Sequence, residues 1–184
     1  PVRYEGTGSI PKEGLYDTIE SWDTQCTYAS GVKMHFMGHR VAEPVVKAYR
    51  EWKDHGTTFF GSEGWISVDR GGIYASDTKL LEIVLKAGEK RLRASDNHAR
   101  DFIDSIRARQ ACISPLEAAI RSDTISHMCD IAIRTGSAVD WDPEKEQITS
   151  TPPPSEMMAR PVRAPWDLEK PMVSDWPPSA TVAS

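Results

Sequence analysis

A histidine and two aspartates in the middle of the chain have the residue types and the spacing for proton transfer. Asp101 follows His98 by three positions, and on a helix a carboxylate at that spacing can hold an imidazole in one orientation. The alternative is a histidine that makes a structural hydrogen bond at a helix start, with Asp101 and Asp104 solvated behind it. The pattern favours this structural interpretation and leaves His98 and Asp101 as candidates for lining a substrate site.

Arg70 and His127 are the other two substrate-side candidates. Arg70 ends a predicted strand, where it can pair with a carboxylate of the sheet or contact an anionic or polyhydroxyl ligand. His127 shares a helical face with Ile120 and Ile131, which favours a hydrogen-bonded histidine of the core over a ligand-binding one. No residue of the chain is assigned a catalytic role.

Two segments could suggest a metal site or a nucleotide site, but each lacks a residue or element that such a site requires. His35 and His39 lie four positions apart without a third ligand nearby, so we predict no metal site. The segment Gly6-Thr7-Gly8 lacks the third glycine and the following helix of a dinucleotide loop. We therefore predict no cofactor-binding residue in this chain.

The composition is that of a globular protein, with 39% hydrophobic and 27% charged residues. The net charge is -5 with both signs mixed, so nothing indicates a nucleic-acid partner. No apolar run reaches the roughly 20 residues of a membrane helix, and no membrane partner is predicted. Both cytoplasm and periplasm remain open as compartments. The three cysteines, Cys26, Cys112 and Cys129, form no zinc or disulfide pattern and are predicted to be buried free thiols.

The first part of the chain predicts antiparallel sheet. Strands are expected at residues 2–5, 21–28 and 32–39, with a loop over residues 6–14 and a hairpin at Ser30-Gly31. A second hairpin over residues 57–68 turns at residues 61–64 and ends at Gly71-Gly72. Four residues are predicted to lie on an exposed sheet face that packs against a second copy of the chain: Trp22, Tyr28, Met34 and Phe36.

Helices are predicted after the hairpins. Residues 41–55 favour a short helix or an ordered loop, because Pro44 interrupts the apolar pattern. A longer helix should be capped by Ser95 or Asp96, with an apolar stripe that includes Phe102 and Ile106. The next helix should start with a capping box over residues 114–117, with proline at its first position, and end at Gly136.

A change of composition near residue 150 suggests two parts. Residues 1–150 are predicted to form an α+β domain, an open and mostly antiparallel sheet with helices on one face. Residues 151–184 are rich in proline and are predicted to form an extended arm.

Five motifs in order resemble the bacterial-type C-terminal α/β domain of the Gfo/Idh/MocA oxidoreductases. They are GSEGWISVDRGG at residues 61–72, HARDFID at 98–104, DIAIR at 130–134, WDPEKE at 141–146 and RPVRAPW at 160–166. The resemblance implies the open sheet with helices on one side, a substrate pocket on the helix side and subunit contacts through the other face. It also implies an N-terminal Rossmann domain that binds NAD or NADP, and hydride transfer to or from a sugar or polyol.

The family's glycine fingerprint and its Glu-Lys-Pro, aspartate and histidine catalytic groups normally precede the first strand of this domain. The residues Glu169-Lys170-Pro171 repeat those three letters in the proline-rich tail, where we interpret them as coincidence. We expect the chain to be the substrate-side and oligomerisation part of an oxidoreductase, inactive alone without its Rossmann partner. The alternative is a stand-alone interaction or carbohydrate-binding module on the same fold.

Overall fold

A computed structural model describes residues 1–153, 155–159 and 162 of the chain. The chain divides into two compact units, Pro1–Ser150 and Thr151–Ser184. The described part of the second unit contains one short helix, α4 (Ser155–Met158). Most of the predicted proline-rich arm, including the RPVRAPW motif except for Val162, lies outside the described residues.

Eight strands of the first unit form two antiparallel sheets. The strands are β1 (Arg3–Ser9), β2 (Ser21–Thr27), β3 (Lys33–Met37), β4 (Thr57–Gly61), β5 (Gly64–Asp69), β6 (Gly72–Ala75), β7 (Val139–Asp142) and β8 (Gln147–Ile148). The larger sheet has the order β3-β2-β1-β7-β8, and the smaller sheet has the order β4-β5-β6. Both predicted hairpins are confirmed, since β2 pairs with β3 and β4 pairs with β5.

Strand β6 was not predicted, because Gly71-Gly72 was interpreted as the end of the hairpin. The Asp69 carboxylate accepts hydrogen bonds from the backbone N–H groups of Gly71 at 2.7 Å and Gly72 at 3.2 Å. This side-chain turn reverses the chain, which then pairs with β5 through Ile73 opposite Val68.

The prediction of a loop over residues 6–14 is wrong in its first part, because β1 continues to Ser9. Gly6 lies opposite Thr24 and Gly8 lies opposite Trp22 in the pairing with β2. A Cβ at Gly6 would lie 2.3 Å from the carbonyl oxygen of Asp23. Glycine is therefore needed here because the two strand backbones approach closely.

Three further α-helices and a 3-10 helix complete the first unit. They are α1 (His39–Lys47), the 3-10 helix (Thr78–Leu81), α2 (His98–Ala108) and α3 (Leu116–Thr135). The short-helix alternative for residues 41–55 is thus the correct one, although α1 begins and ends earlier.

The caps of α2 and α3 differ from the predicted ones. Asn97 caps α2 through its side chain, which accepts a hydrogen bond from the N–H of Arg100 at 2.9 Å, in place of Ser95 or Asp96. Pro115 is the N-cap residue of α3, so the predicted capping box does not form. Gly136 ends α3 in the left-handed conformation, with φ 63°, as predicted.

The core lies between α3 and the larger sheet. Its buried hydrophobic residues are Tyr4, Cys26, Met128, Cys129, Ile131, Ala132 and Val139. The α+β fold with a mostly antiparallel sheet and a helix packed on one face is confirmed. The apolar stripe predicted for α2 is not buried in this core, because Phe102 is 55% exposed and Ile106 is 58% exposed.

Trp22, Tyr28, Met34 and Phe36 lie on the helix side of the larger sheet, so their assignment to the open face is wrong. The register shows this, because Met34 lies opposite Cys26, whose sulfur contacts Cys129 of α3. The strand period of two places Trp22 and Phe36 on the same side as Cys26. Residue parity alone grouped the four correctly but could not say which face α3 covers.

The open face of the larger sheet carries paired polar residues instead. The Arg3 guanidinium contacts the Asp140 carboxylate at 2.6 Å, the Gln25 amide donates to Glu5 at 3.1 Å, and His35 lies 3.8 Å from Asp23. Opposite charges on neighbouring strands stabilise a sheet face that is left to solvent or to a polar partner.

Candidate functional site

A cavity of about 410 Å³ lies on the helix side of the larger sheet, beside the first half of α3. Its lining combines aromatic, hydroxyl and charged side chains, among them Tyr4, Tyr28, Arg121, Thr124, Trp141 and Glu146. A concave site with apolar walls and a few converging polar groups is the usual form of a small-molecule site.

Three strands and one helix position these side chains. Tyr4 projects from β1 and is only 1% exposed, and Tyr28 follows the end of β2. Arg121 and Thr124 lie on consecutive turns of α3, on the side that faces the sheet. Because strand side chains alternate between faces, the aromatic rings lie on the same face of the sheet as the core. The cavity therefore borders the core, and Tyr4 belongs to both.

The WDPEKE motif forms the turn that brings Trp141 and Glu146 to the cavity. Asp142 accepts hydrogen bonds from the backbone N–H groups of Glu144 at 3.0 Å and Lys145 at 3.1 Å, which closes the turn between β7 and β8. Glu146 then adopts a left-handed backbone with φ 53°. That conformation is unfavourable for glutamate and persists where the surrounding structure imposes it, often at functional sites.

The lining is suited to binding. Burial, together with the nearby thiols of Cys26 and Cys129, raises the pKa of Tyr4 far above its usual value, so its phenol remains a hydrogen-bond donor even in alkaline solution. The Arg121 guanidinium lies 2.9 Å from Glu117 on the solvent side of the cavity, and Glu146 supplies an acceptor. The site therefore presents donors, acceptors and aromatic faces to a ligand.

None of the four substrate-side candidates lines this cavity. His98 is exposed as the first residue of α2. The side chain of Asp101 is only 6% exposed and accepts hydrogen bonds from the Arg93 guanidinium and from the N–H of Ile113 at 2.7 Å. Asp101 therefore ties the segments on both sides of α2 together and has a structural role.

His127 is on the solvent side of α3, with a side chain 70% exposed and hydrogen-bonded to Asp123 at 3.1 Å. Its interpretation as a core histidine is wrong. The buried face of α3 centres on Met128 and Ala132, and 3.6 residues per turn place His127 outside that arc. Ile120, with which it was grouped, is itself 47% exposed.

Arg70 is exposed just after β5, and the neighbouring carboxylate of the smaller sheet, Asp69, pairs with another arginine. The Arg50 guanidinium contacts the Asp69 carboxylate at 2.7 Å, with side chains 8% and 2% exposed. Arg50 also donates to Ser67 and lies over the Tyr74 ring at 4.2 Å. No motif in the sequence indicated this cluster.

The Arg50 cluster borders a second cavity of about 110 Å³, which is small for an organic ligand. The hydrogen bond from Arg50, reinforced by the N–H groups of Gly71 and Gly72, holds the pKa of Asp69 below its ordinary value despite burial. Because both charges are satisfied by each other, we interpret the cluster as a structural tie between the segment after α1 and the smaller sheet.

Within residues 1–153, 155–159 and 162, no group of three His, Cys, Asp or Glu residues could hold a metal ion. Over the same residues, no helix is long and apolar enough to cross a membrane.

Comparison with protein families adds the decisive observation. Residues 55–168, well over half of the chain, match the family model described as "Oxidoreductase family, C-terminal alpha/beta domain". The chain belongs to the Gfo/Idh/MocA family. The match to this Gfo/Idh/MocA domain includes the smaller sheet, α2, α3 and the turn with Trp141 and Glu146. It begins at residue 55, whereas the motifs had led us to expect a resemblance from residue 1. Neither the curated proteins nor the solved structures that were compared gave a significant match.

Gfo/Idh/MocA enzymes generally use NAD(P), and the glycine segment of this chain that most resembles a dinucleotide loop is Gly6-Thr7-Gly8. The Gly6-Thr7-Gly8 segment lies inside β1 and is followed by the approach to Pro11, with no helix N-terminus to receive a pyrophosphate. The space above Gly8 is filled by Ile19 and Ile133. This segment does not fit the cofactor.

Proposed function

We propose that this domain forms the substrate-side wall of an NAD(P)-dependent oxidoreductase that acts on a sugar or polyol. The observation that carries the proposal is the cavity beside Trp141 and Glu146, two lining residues that lie within the part of the chain that matches the oxidoreductase family. A polyhydroxyl ligand offers C–H faces, which pack on aromatic rings, and hydroxyls, which bond to groups such as Arg121, Thr124 and Glu146.

The proposal includes a separate dinucleotide-binding domain as partner. Hydride transfer requires the nicotinamide and the substrate carbon to lie roughly 3–3.5 Å apart, and one wall of a site cannot hold both. The cavity supplies contacts for a ligand, whereas Gly6-Thr7-Gly8 lies within strand β1 and does not form a dinucleotide-binding loop. We therefore expect this chain alone to bind ligand without turnover.

The experiment is calorimetric titration of the purified chain with glucose and with glucitol. We expect Glu146→Gln and Arg121→Ala to weaken binding at least about tenfold, the worth of one hydrogen bond to a charged group. His127→Ala is the matched control, because His127 lies on the solvent side of the same helix. Binding that is absent, or equal in all four proteins, would refute the proposed site.

NAD(P)-linked activity must be assayed on the protein from its natural source. If the natural protein oxidises a polyol with NAD(P) and the Glu146→Gln variant of that protein does not, the proposed oxidoreductase function is supported. Polyol binding by this chain without any NAD(P)-linked turnover in the natural protein would support the carbohydrate-binding alternative.

We also propose that the domain self-associates through the edge of the larger sheet at β3, on its helix side and not through its open face. Phe36, which is 37% exposed, and Trp22 lie on its helix side with ring centroids 5.7 Å apart. Phe36→Glu should shift sedimentation towards monomer, whereas His35→Glu, on the opposite face of the same strand, should not. A clean monomer of the unchanged protein at high concentration would exclude self-association.

A further inference from the structure

Two cysteines far apart in the sequence meet in the core. The sulfur of Cys26, in β2, lies 3.7 Å from the sulfur of Cys129, in α3, and the two residues are 103 positions apart. Both are free thiols, 0% and 3% exposed. Contact at this distance leaves no atom between the sulfurs.

Both sulfurs are held in place by regular structure. Cys26 is paired with Tyr4 on one side and Met34 on the other, near the centre of the larger sheet. Cys129 is on the buried face of α3, between Met128 and Ile131 along the chain. Packed neighbours restrict the two side chains to few rotamers, so the contact is a lasting one.

We propose that Cys26 and Cys129 form an oxidisable dithiol, which hydrogen peroxide converts to a disulfide between β2 and α3. The Cys129 thiolate attacks one peroxide oxygen, giving a sulfenic acid and one water after protonation. The Cys26 sulfur then displaces the sulfenic hydroxyl as a second water, with loss of its own proton. Two thiols and one peroxide thus give one disulfide and two waters, and the peroxide is the electron acceptor.

The environment of the pair favours Cys129 as the attacking group. The hydrogen bond between the two thiols lowers the pKa of Cys129, against the opposing effect of burial, and raises the pKa of Cys26. The Thr24 hydroxyl is the other polar group beside Cys129, but it donates its hydrogen to the Phe36 carbonyl at 2.8 Å. We therefore attribute the lowered pKa of Cys129 mainly to Cys26. Tyr4, the strand partner of Cys26, also lines the 410 Å³ cavity, so only one residue separates Cys26 from that space.

The test uses the full chain with Cys112→Ser, because Cys112 is partly exposed and would react on its own. The folded protein is treated with hydrogen peroxide, then unfolded, alkylated with N-ethylmaleimide and weighed by mass spectrometry. We expect a product that has lost two hydrogens and carries no label, and digestion should yield the Cys26 and Cys129 peptides linked together. Dithiothreitol should restore two labels.

The same treatment in guanidinium is the control for proximity. The folded protein should close the bond at least about tenfold faster, because unfolding separates the sulfurs by a long flexible loop. Two labels after peroxide, oxidation of a single sulfur to sulfinic acid, or equal rates in the folded and unfolded protein would overturn the proposal. None of these outcomes depends on a cysteine variant of the core that might fail to fold.

Discussion

Gly6→Ala tests whether the glycines of β1 serve strand packing. The added methyl carbon would lie 2.3 Å from the Asp23 carbonyl oxygen and 2.6 Å from the Thr24 Cα, where 3.4 Å is ordinary contact. Both neighbours are backbone atoms of β2, so the strand itself must move by about 1 Å. Overpacking of this kind costs about 3 kcal/mol. In a chain of this size that corresponds to a loss of about 6–12 °C in Tm.

The assay is thermal and urea unfolding of the purified chain, followed by circular dichroism. Gly61→Ala is the matched control, because the nearest atom to its Cβ is 3.6 Å away and the position is also in a strand. We expect Gly61→Ala to be neutral or to stabilise by up to about 1 kcal/mol. A Gly6→Ala protein within about 0.5 kcal/mol of the original would refute the packing argument and reopen other roles for this segment.

Two further predictions follow from the core and the Arg50 cluster. Ile131→Ala, at a position only 4% exposed, should cost about 2–5 kcal/mol in urea unfolding, whereas His127→Ala should change stability by less than about 0.5 kcal/mol. Equal effects would contradict the described orientation of α3. Because the pKa of Asp69 is lowered in the folded state, its contribution is fully present above its unfolded pKa of about 3.9 and is lost as pH falls through the folded value. Asp69→Asn should therefore flatten the acid side of the stability profile, and parallel profiles would contradict this.

Local patterns in the sequence were sufficient for several elements. The hairpin with Gly61 and Gly64, the end of α3 at Gly136 and the antiparallel pairing of β2 with β3 depend on residues close in the chain. Strand β6 and the cap at Asn97 were missed because each depends on a side-chain hydrogen bond to the backbone that competes with other signals nearby.

The motifs and periodicities of the sequence by themselves determined the Gfo/Idh/MocA family, the α+β class and the grouping of Trp22 with Phe36 on one face. Only the tertiary structure decided which face α3 covers, that His127 points to solvent, and that Tyr4, Arg121 and Trp141 surround one cavity. The contact of Cys26 with Cys129 was likewise decided only by the tertiary structure. The physical reason is that helical and strand periods relate near neighbours, whereas contacts over a hundred residues depend on how packed elements share a core.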